Sequence, residues 1–184
     1  MKKQFLLCAA GVAAAFTPGV AMAQTGNDAA TGAFVGVSAG YHDLGVTDDD
    51  VDGVEFDDAS PILGVVAGYD VAVGDNLFAG VEGNFHIGTD VIDNEFGGSV
   101  RFGFATANGS KYYLRGGYQE VDIDPGEVVD VDFGDAFDGI DTSEGDYLVG
   151  AGVELPVGPG SFRLNLDTIA FDSVRASAGF LINF

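Results

Sequence analysis

The sequence has no tryptophan, a single cysteine, and only seven basic residues against 29 acidic ones. Cys8 lies in the first 23 residues, so the rest of the chain has no thiol, and its stability owes nothing to disulfides. Leu6 and Leu7 ahead of it do not supply the small residue expected before a lipidated cysteine. The shortage of bases argues against nucleic acid as a partner, because phosphate binding calls for a basic face. Beyond residue 23 no apolar run reaches the roughly 18 residues that a transmembrane helix requires.

What is present begins with a three-part leader. Lys2 and Lys3 open it, the uncharged stretch from Phe5 to Phe16 is too short to cross a bilayer as a helix, and Ala21-Met22-Ala23 reads as a small-x-small cleavage site. Residues 1–23 are therefore read as a signal peptide, residues 24–32 as a short N-terminal segment, and residues 33–184 as one domain. Removing Lys2 and Lys3 leaves five bases against 29 acids, a net charge of −24. Such a charge suits a disordered acidic chain. The 15 Phe, six Tyr and mean hydropathy of +0.23 argue for a folded one.

Period-two alternation organises that domain. Ala33, Val35, Val37, Ala39 and Tyr41 alternate with Gly36, Ser38, Gly40 and His42, and Val174, Ala176, Ala178, Phe180, Ile182 and Phe184 alternate with smaller or polar residues. Successive strand residues face opposite sides, so each segment has one apolar face and one small or polar face. Six more segments read the same way, at about 62–72, 77–88, 95–105, 111–121, 146–155 and 161–170. Each has about the 9–11 residues that a tilted strand needs to cross a bilayer. Ile62, Val66, Phe78, Tyr113, Leu148 and Ile169 break the pattern, falling on the polar face.

The connections alternate in length. Gly74-Asp75-Asn76, Ala107-Asn108-Gly109-Ser110 and Val157-Gly158-Pro159-Gly160 are short turns, while the other side carries long connections at 43–61 and 122–145, a shorter one at 89–94 and a tight one near Phe171-Asp172. Bacterial barrels have short periplasmic turns and longer external loops, so both termini are expected in the periplasm. A soluble sandwich or lipocalin-like barrel would also alternate. The arginines decide between them. Arg101, Arg115, Arg163 and Arg175 all lie within strands, opposite the apolar stripe, together with Glu82, Asn84, Glu154, Asn165 and Asp167. In lipid that polar face must be the lumen, and closure leaves no unpaired edge. The expected fold is an all-β, eight-stranded antiparallel up-and-down transmembrane β-barrel.

The stretches Phe34-Val35-Gly36-Val37-Ser38-Ala39-Gly40-Tyr41, Gly80-Val81-Glu82-Gly83-Asn84-Phe85 and Val149-Gly150-Ala151-Gly152-Val153-Glu154, with a closing strand ending in Phe184, carry a resemblance. Over essentially the whole mature chain the sequence resembles the small outer-membrane β-barrel proteins of Gram-negative bacteria, the OmpA/OmpX-like and porin-family surface proteins. The resemblance implies an outer-membrane location, contact with outer-membrane lipid, and recognition by the barrel-assembly machinery through Phe184, Ile182 and Phe180. The chain departs from multi-domain relatives by stopping at Phe184, so no peptidoglycan-binding domain is expected to follow.

Catalysis finds little support in the residues. His42 and His86 are the histidines, and Ser38 shares a strand face with His42 but stands about 13 Å from it along the strand, too far for direct hydrogen bonding. Both histidines are read as lumen-facing groups near a rim, and no enzyme is expected. Asp48, Asp50 and Asp52 match the opening of a calcium loop, but the twelfth position is Ala59 rather than a glutamate. Residues 43–61 and 122–146 hold 18 acids and no base, so no cofactor is expected beyond weak, nonspecific calcium or magnesium at these loops. The expected function is a structural, monomeric outer-membrane barrel that displays acidic loops and supports envelope integrity. A narrow passive channel and an adhesin or surface-ligand protein are the alternatives. Arg101, Arg115, Arg163 and Arg175 are expected to pair across the lumen with Glu82, Glu154 and Asp167, while Lys111, beside a turn, is expected to matter little.

Overall fold

The computed structural model describes residues 30–45, 59–89, 92–123 and 143–184. They form eight strands: β1 (Gly32–Asp43), β2 (Ala59–Ala72), β3 (Leu77–Gly88), β4 (Ile92–Ala105), β5 (Lys111–Ile123), β6 (Ser143–Val157), β7 (Gly160–Ile169) and β8 (Ser173–Asn183). Every strand pairs antiparallel with its sequence neighbours, and β8 pairs with β1 to close the barrel. The expected fold class is the observed one. The expected signal peptide, residues 1–23, and the aspartates at 48, 50 and 52 lie outside the described residues.

The register fixes the size of the barrel. The ladder from Ala33 runs through Tyr69, Val81, Val100, Gly116, Val149, Thr168 and Val174 and returns to β1 at Asp43, ten residues further along. Eight strands with that stagger tilt by roughly 35–45° and enclose a lumen that side chains can fill.

The turns show why the sheet folds back where it does. Gly109 and Gly158 take positive φ of 84° and 59° in the β4–β5 and β6–β7 turns, a conformation open to glycine without steric cost. At the opposite end, Ala170 and Phe171 adopt φ of 56° and 69° between β7 and β8.

Burial follows the alternation with the sense reversed from a soluble protein. Val37, Leu63, Val65, Val81, Val100, Leu114, Leu166 and Ile182 are all exposed on the outside. Exterior aromatics form two belts: Tyr69, Phe102, Phe104, Tyr112, Phe162 and Phe180 toward the short turns, and Tyr41, Phe85, Phe96, Tyr118 and Tyr147 toward the long connections. Between them the exterior is aliphatic, alanine or glycine. An apolar band flanked by aromatic girdles is the surface of a barrel that stands in lipid.

Candidate functional site: the filled lumen

The six residues that broke the alternation all point inward and are buried. Phe78 and Tyr113 pack with Ala30 and Ala105 at the short-turn end, and Val66 packs with Phe34 and Leu181. Ile62 packs with Ile92 and Val121 toward the long-connection end, with Leu44 against them. Apolar clusters thus lie toward both ends of a lumen whose middle is charged.

The charged groups form one connected chain. Near the short turns Asp70 on β2 accepts from Lys111 Nζ at 2.7 Å and, through both oxygens, from Arg101 Nε and Nη2 at 2.7 and 2.5 Å. Arg101 Nη1 donates to Glu154 Oε1 at 2.7 Å and lies 3.3 Å from Glu82 Oε2. Arg163 joins the same two carboxylates, at 2.7 Å to Glu154 and 2.5 Å to Glu82. Glu82 also accepts from Arg115, which clasps Asp167 through Nε and Nη2 at 2.8 and 2.9 Å. Asp167 then meets Arg175, and Arg175 Nη1 reaches Glu95 at 2.5 Å. Glu95 closes the chain between His42 Nδ1 at 2.7 Å and His86 Nδ1 at 3.1 Å. Five cations and five carboxylates balance along this line, and the Phe34 ring packs against two of the cations: Arg101 lies 4.3 Å from its centroid and Arg163 4.7 Å.

Room for these side chains comes from lumen-facing glycines. A Cβ at Gly80 would run into the Asp70 carboxylate, one at Gly64 into the His86 ring, and one at Gly152 into Tyr113 and Asn165. An enclosed cavity of about 10 Å³ lies among Ser38, Asn84, His86 and Arg115, space for no more than about one water. Among the described residues, Gln119 Nε2 is the buried side-chain polar atom without a partner.

Sequence reasoning named seven members of this chain, and the structure brings all seven together: Arg101, Arg115, Arg163, Arg175, Glu82, Glu154 and Asp167. It missed Asp70, Glu95 and Lys111, and it read the two histidines as lumen-facing without their pairing to Glu95. Lys111 requires a correction. It is 8% exposed and ion-paired, because it shares the inward parity of Tyr113 and Arg115 on β5 and so enters the lumen from the turn. Parity would also have found Asp70 and Glu95. Ser38 and His42 do not meet; Ser38 Oγ lies instead 2.7 Å from His86 Nε2. Ser38, His86 and Glu95 thus stand in the order of a nucleophile, base and orienting acid, but all three are buried in the closed lumen. Phe180, Ile182 and Phe184 sit exposed in the outer surface around β8, and Phe184 N–H donates to the Ala33 carbonyl.

A closed antiparallel barrel, apolar outside and charged within, defines a small transmembrane β-barrel of eight strands. Among solved structures the chain is similar to the N-terminal β-barrel domain of Pseudomonas aeruginosa OprF, with 14% identity over 88% of this chain and 100% of that one and a TM-score of 0.51. It is also similar to a de novo designed transmembrane β-barrel, at 16% identity, 89% and 100% coverage and a TM-score of 0.47. A third is Neisserial surface protein A, at 18% identity, 83% and 97% coverage and a TM-score of 0.43. At these identities the likeness is one of fold. No protein-family model matches the chain, and no curated protein matches its sequence.

Proposed function

We propose that the protein is a structural outer-membrane surface barrel that displays acidic loops from a side-chain-filled core. The observation that carries this reading is the lumen: among the described residues a balanced chain of five cations and five carboxylates occupies its middle, and apolar clusters lie toward both ends. Burying that many charges is tolerable only where each is paired and hydrogen-bonded. In this reading the short turns and both termini face the periplasm, and the acidic segments 43–61 and 122–145 face outward. The barrel is a monomer with no cofactor beyond loosely held calcium or magnesium, and Phe184, Ile182 and Phe180 present the assembly signal. Catalysis is not part of the proposed function, since Ser38, His86 and Glu95 are all buried among the lumen side chains.

Recording from the refolded protein in a planar bilayer tests the proposal. Conductance should be absent, or small and flickering. A steady, large conductance would put the narrow passive channel in its place. Binding to host or cell surfaces that vanishes when the two acidic segments are exchanged would instead favour the adhesin.

A further inference from the structure

The three short turns stand in solvent: Gly74, Asp75 and Asn76 are exposed, and so are Asn108 and Gly158. What fills the mouth of the barrel at that end is the approach to β1. Ala30 is 5% exposed and shares one apolar cluster with Phe78, Ala105 and Tyr113, which face the lumen where β3 begins, β4 ends and β5 begins. The β1–β2 ladder stops at Gly32 and Asp70. Beyond it Thr31 Oγ1 accepts the Ala72 N–H at 2.9 Å, so a side chain stands where the next backbone partner would be. Gly32 permits the change of direction: its φ is 157°, and a Cβ there would run into the Phe184 carbonyl oxygen. Beneath the cluster the Phe78 ring lies 5.4 Å from Lys111 Nζ, and Lys111 is bound to Asp70 at the end of the ion-pair chain.

We propose that Ala30 to Gly32 forms a cap over the short-turn mouth of the lumen, with Ala30 as its stopper and Thr31 as its latch to β2. Ala30 and Thr31 belong to no strand, and they are held by one apolar contact region and one exposed hydrogen bond. The cap therefore opens at a smaller cost than the strands it covers. Its opening wets Phe78 and Tyr113 first and then the Asp70–Lys111 pair, while the cluster of Ile62, Ile92 and Val121 at the opposite end stays dry. The inference deepens the filled-lumen reading and rests on it: the ion-pair chain is shielded at this end by a segment outside the strands.

Beyond residue 23 the sequence has no cysteine, so a thiol can be placed at one site at a time in the mature protein refolded in detergent micelles, and its reaction with a charged methanethiosulfonate reagent timed. Ala30→Cys and Ala105→Cys should each react at least about tenfold more slowly than Asp75→Cys on the exposed turn. Adding Ala30→Asn, which puts an amide without a partner into the cluster, should speed the reaction of Ala105→Cys by about tenfold and leave that of Val121→Cys, at the opposite end, unchanged. Reaction of Ala30→Cys or Ala105→Cys as fast as that of Asp75→Cys would overturn the cap. So would an Ala30→Asn that leaves Ala105→Cys as slow as before, or that speeds Val121→Cys equally. Fast reaction of Val121→Cys in the otherwise unaltered chain would overturn the filled-lumen reading itself, and the cap with it, which tells the two failures apart. Should Ala30→Asn not refold, the rate of Ala30→Cys decides alone.

Discussion

At the residue scale the lumen is a set of unequal dependencies. Arg163 serves two carboxylates at once, Glu82 and Glu154, and removing it leaves both in a sealed interior with only Arg101 and Arg115 to answer them. Breaking a buried pair from one side costs about 3–5 kcal/mol, so Arg163→Ala should lower stability by that order in urea unfolding monitored by the gel shift on boiling. Lys111→Ala removes one charged hydrogen bond from an Asp70 that keeps its two-pronged contact with Arg101. Its cost should be smaller, about 1–2 kcal/mol, but distinct from that of Asp75→Ala on the exposed Gly74–Asn76 turn. Equal midpoints for Lys111→Ala and Asp75→Ala would return the lysine to the surface role first expected for it. Seven members of the chain were legible because each falls within its strand on the parity opposite the apolar stripe. Lys111 opens β5, where a residue reads equally well as part of a turn.

The strands themselves were legible nearly to their ends, and the differences have a local cause. β2, β4 and β6 each begin three residues earlier than their alternation suggested, at Ala59, Ile92 and Ser143, all on the long-connection side. In β4 the reason is a register shift between Ile92 and Asn94. An extra residue there turns both Ile92 and Glu95 inward although they are three apart, and a period-two search stops at such a break. Pairing across the lumen was not legible, since it depends on the stagger of ten residues, which no single strand contains. The glycines separate two environments. A methyl group at Gly80 would push Asp70 off Arg101, whereas at Gly83 and Gly98, facing outward, it would meet only ordinary contacts, with nearest atoms at 3.8 and 3.7 Å. Gly80→Ala should therefore cost about 1–3 kcal/mol, and Gly83→Ala nothing or a slight gain, in the same unfolding assay. At the tight turn into β8, Phe171 holds a left-handed φ of 69° while three-quarters exposed, so Phe171→Gly should raise stability by about 1 kcal/mol. Phe184→Asp, by contrast, should impair membrane insertion while Phe171→Asp does not. Equal insertion of the two would remove the basis for a C-terminal assembly signal.

For the whole molecule the controlling fact is how its charge is partitioned. All five bases beyond residue 23 are in the lumen, where five carboxylates pair with them, so 24 acids of the sequence are not part of this paired set. Of these, 18 lie in residues 43–61 and 122–146 without one base among them. The two populations should answer differently to ions. Paired charges sealed in the barrel are barely screened by salt, whereas like charges in solvent repel across a Debye length of about 8 Å at physiological ionic strength, and a divalent cation relieves that repulsion most economically. Millimolar calcium or magnesium at fixed ionic strength should therefore slow proteolysis within the two acidic segments while leaving the unfolding midpoint of the barrel nearly unchanged. Binding should be weak and should not distinguish strongly between the two ions, because repulsion among many carboxylates, rather than a shaped ligand set, is what recruits them. Cleavage rates that stay flat across the titration would show that the segments need no such relief. A calcium-dependent rise in the barrel midpoint would show that the loops and the lumen are energetically one unit, contrary to the partition argued here.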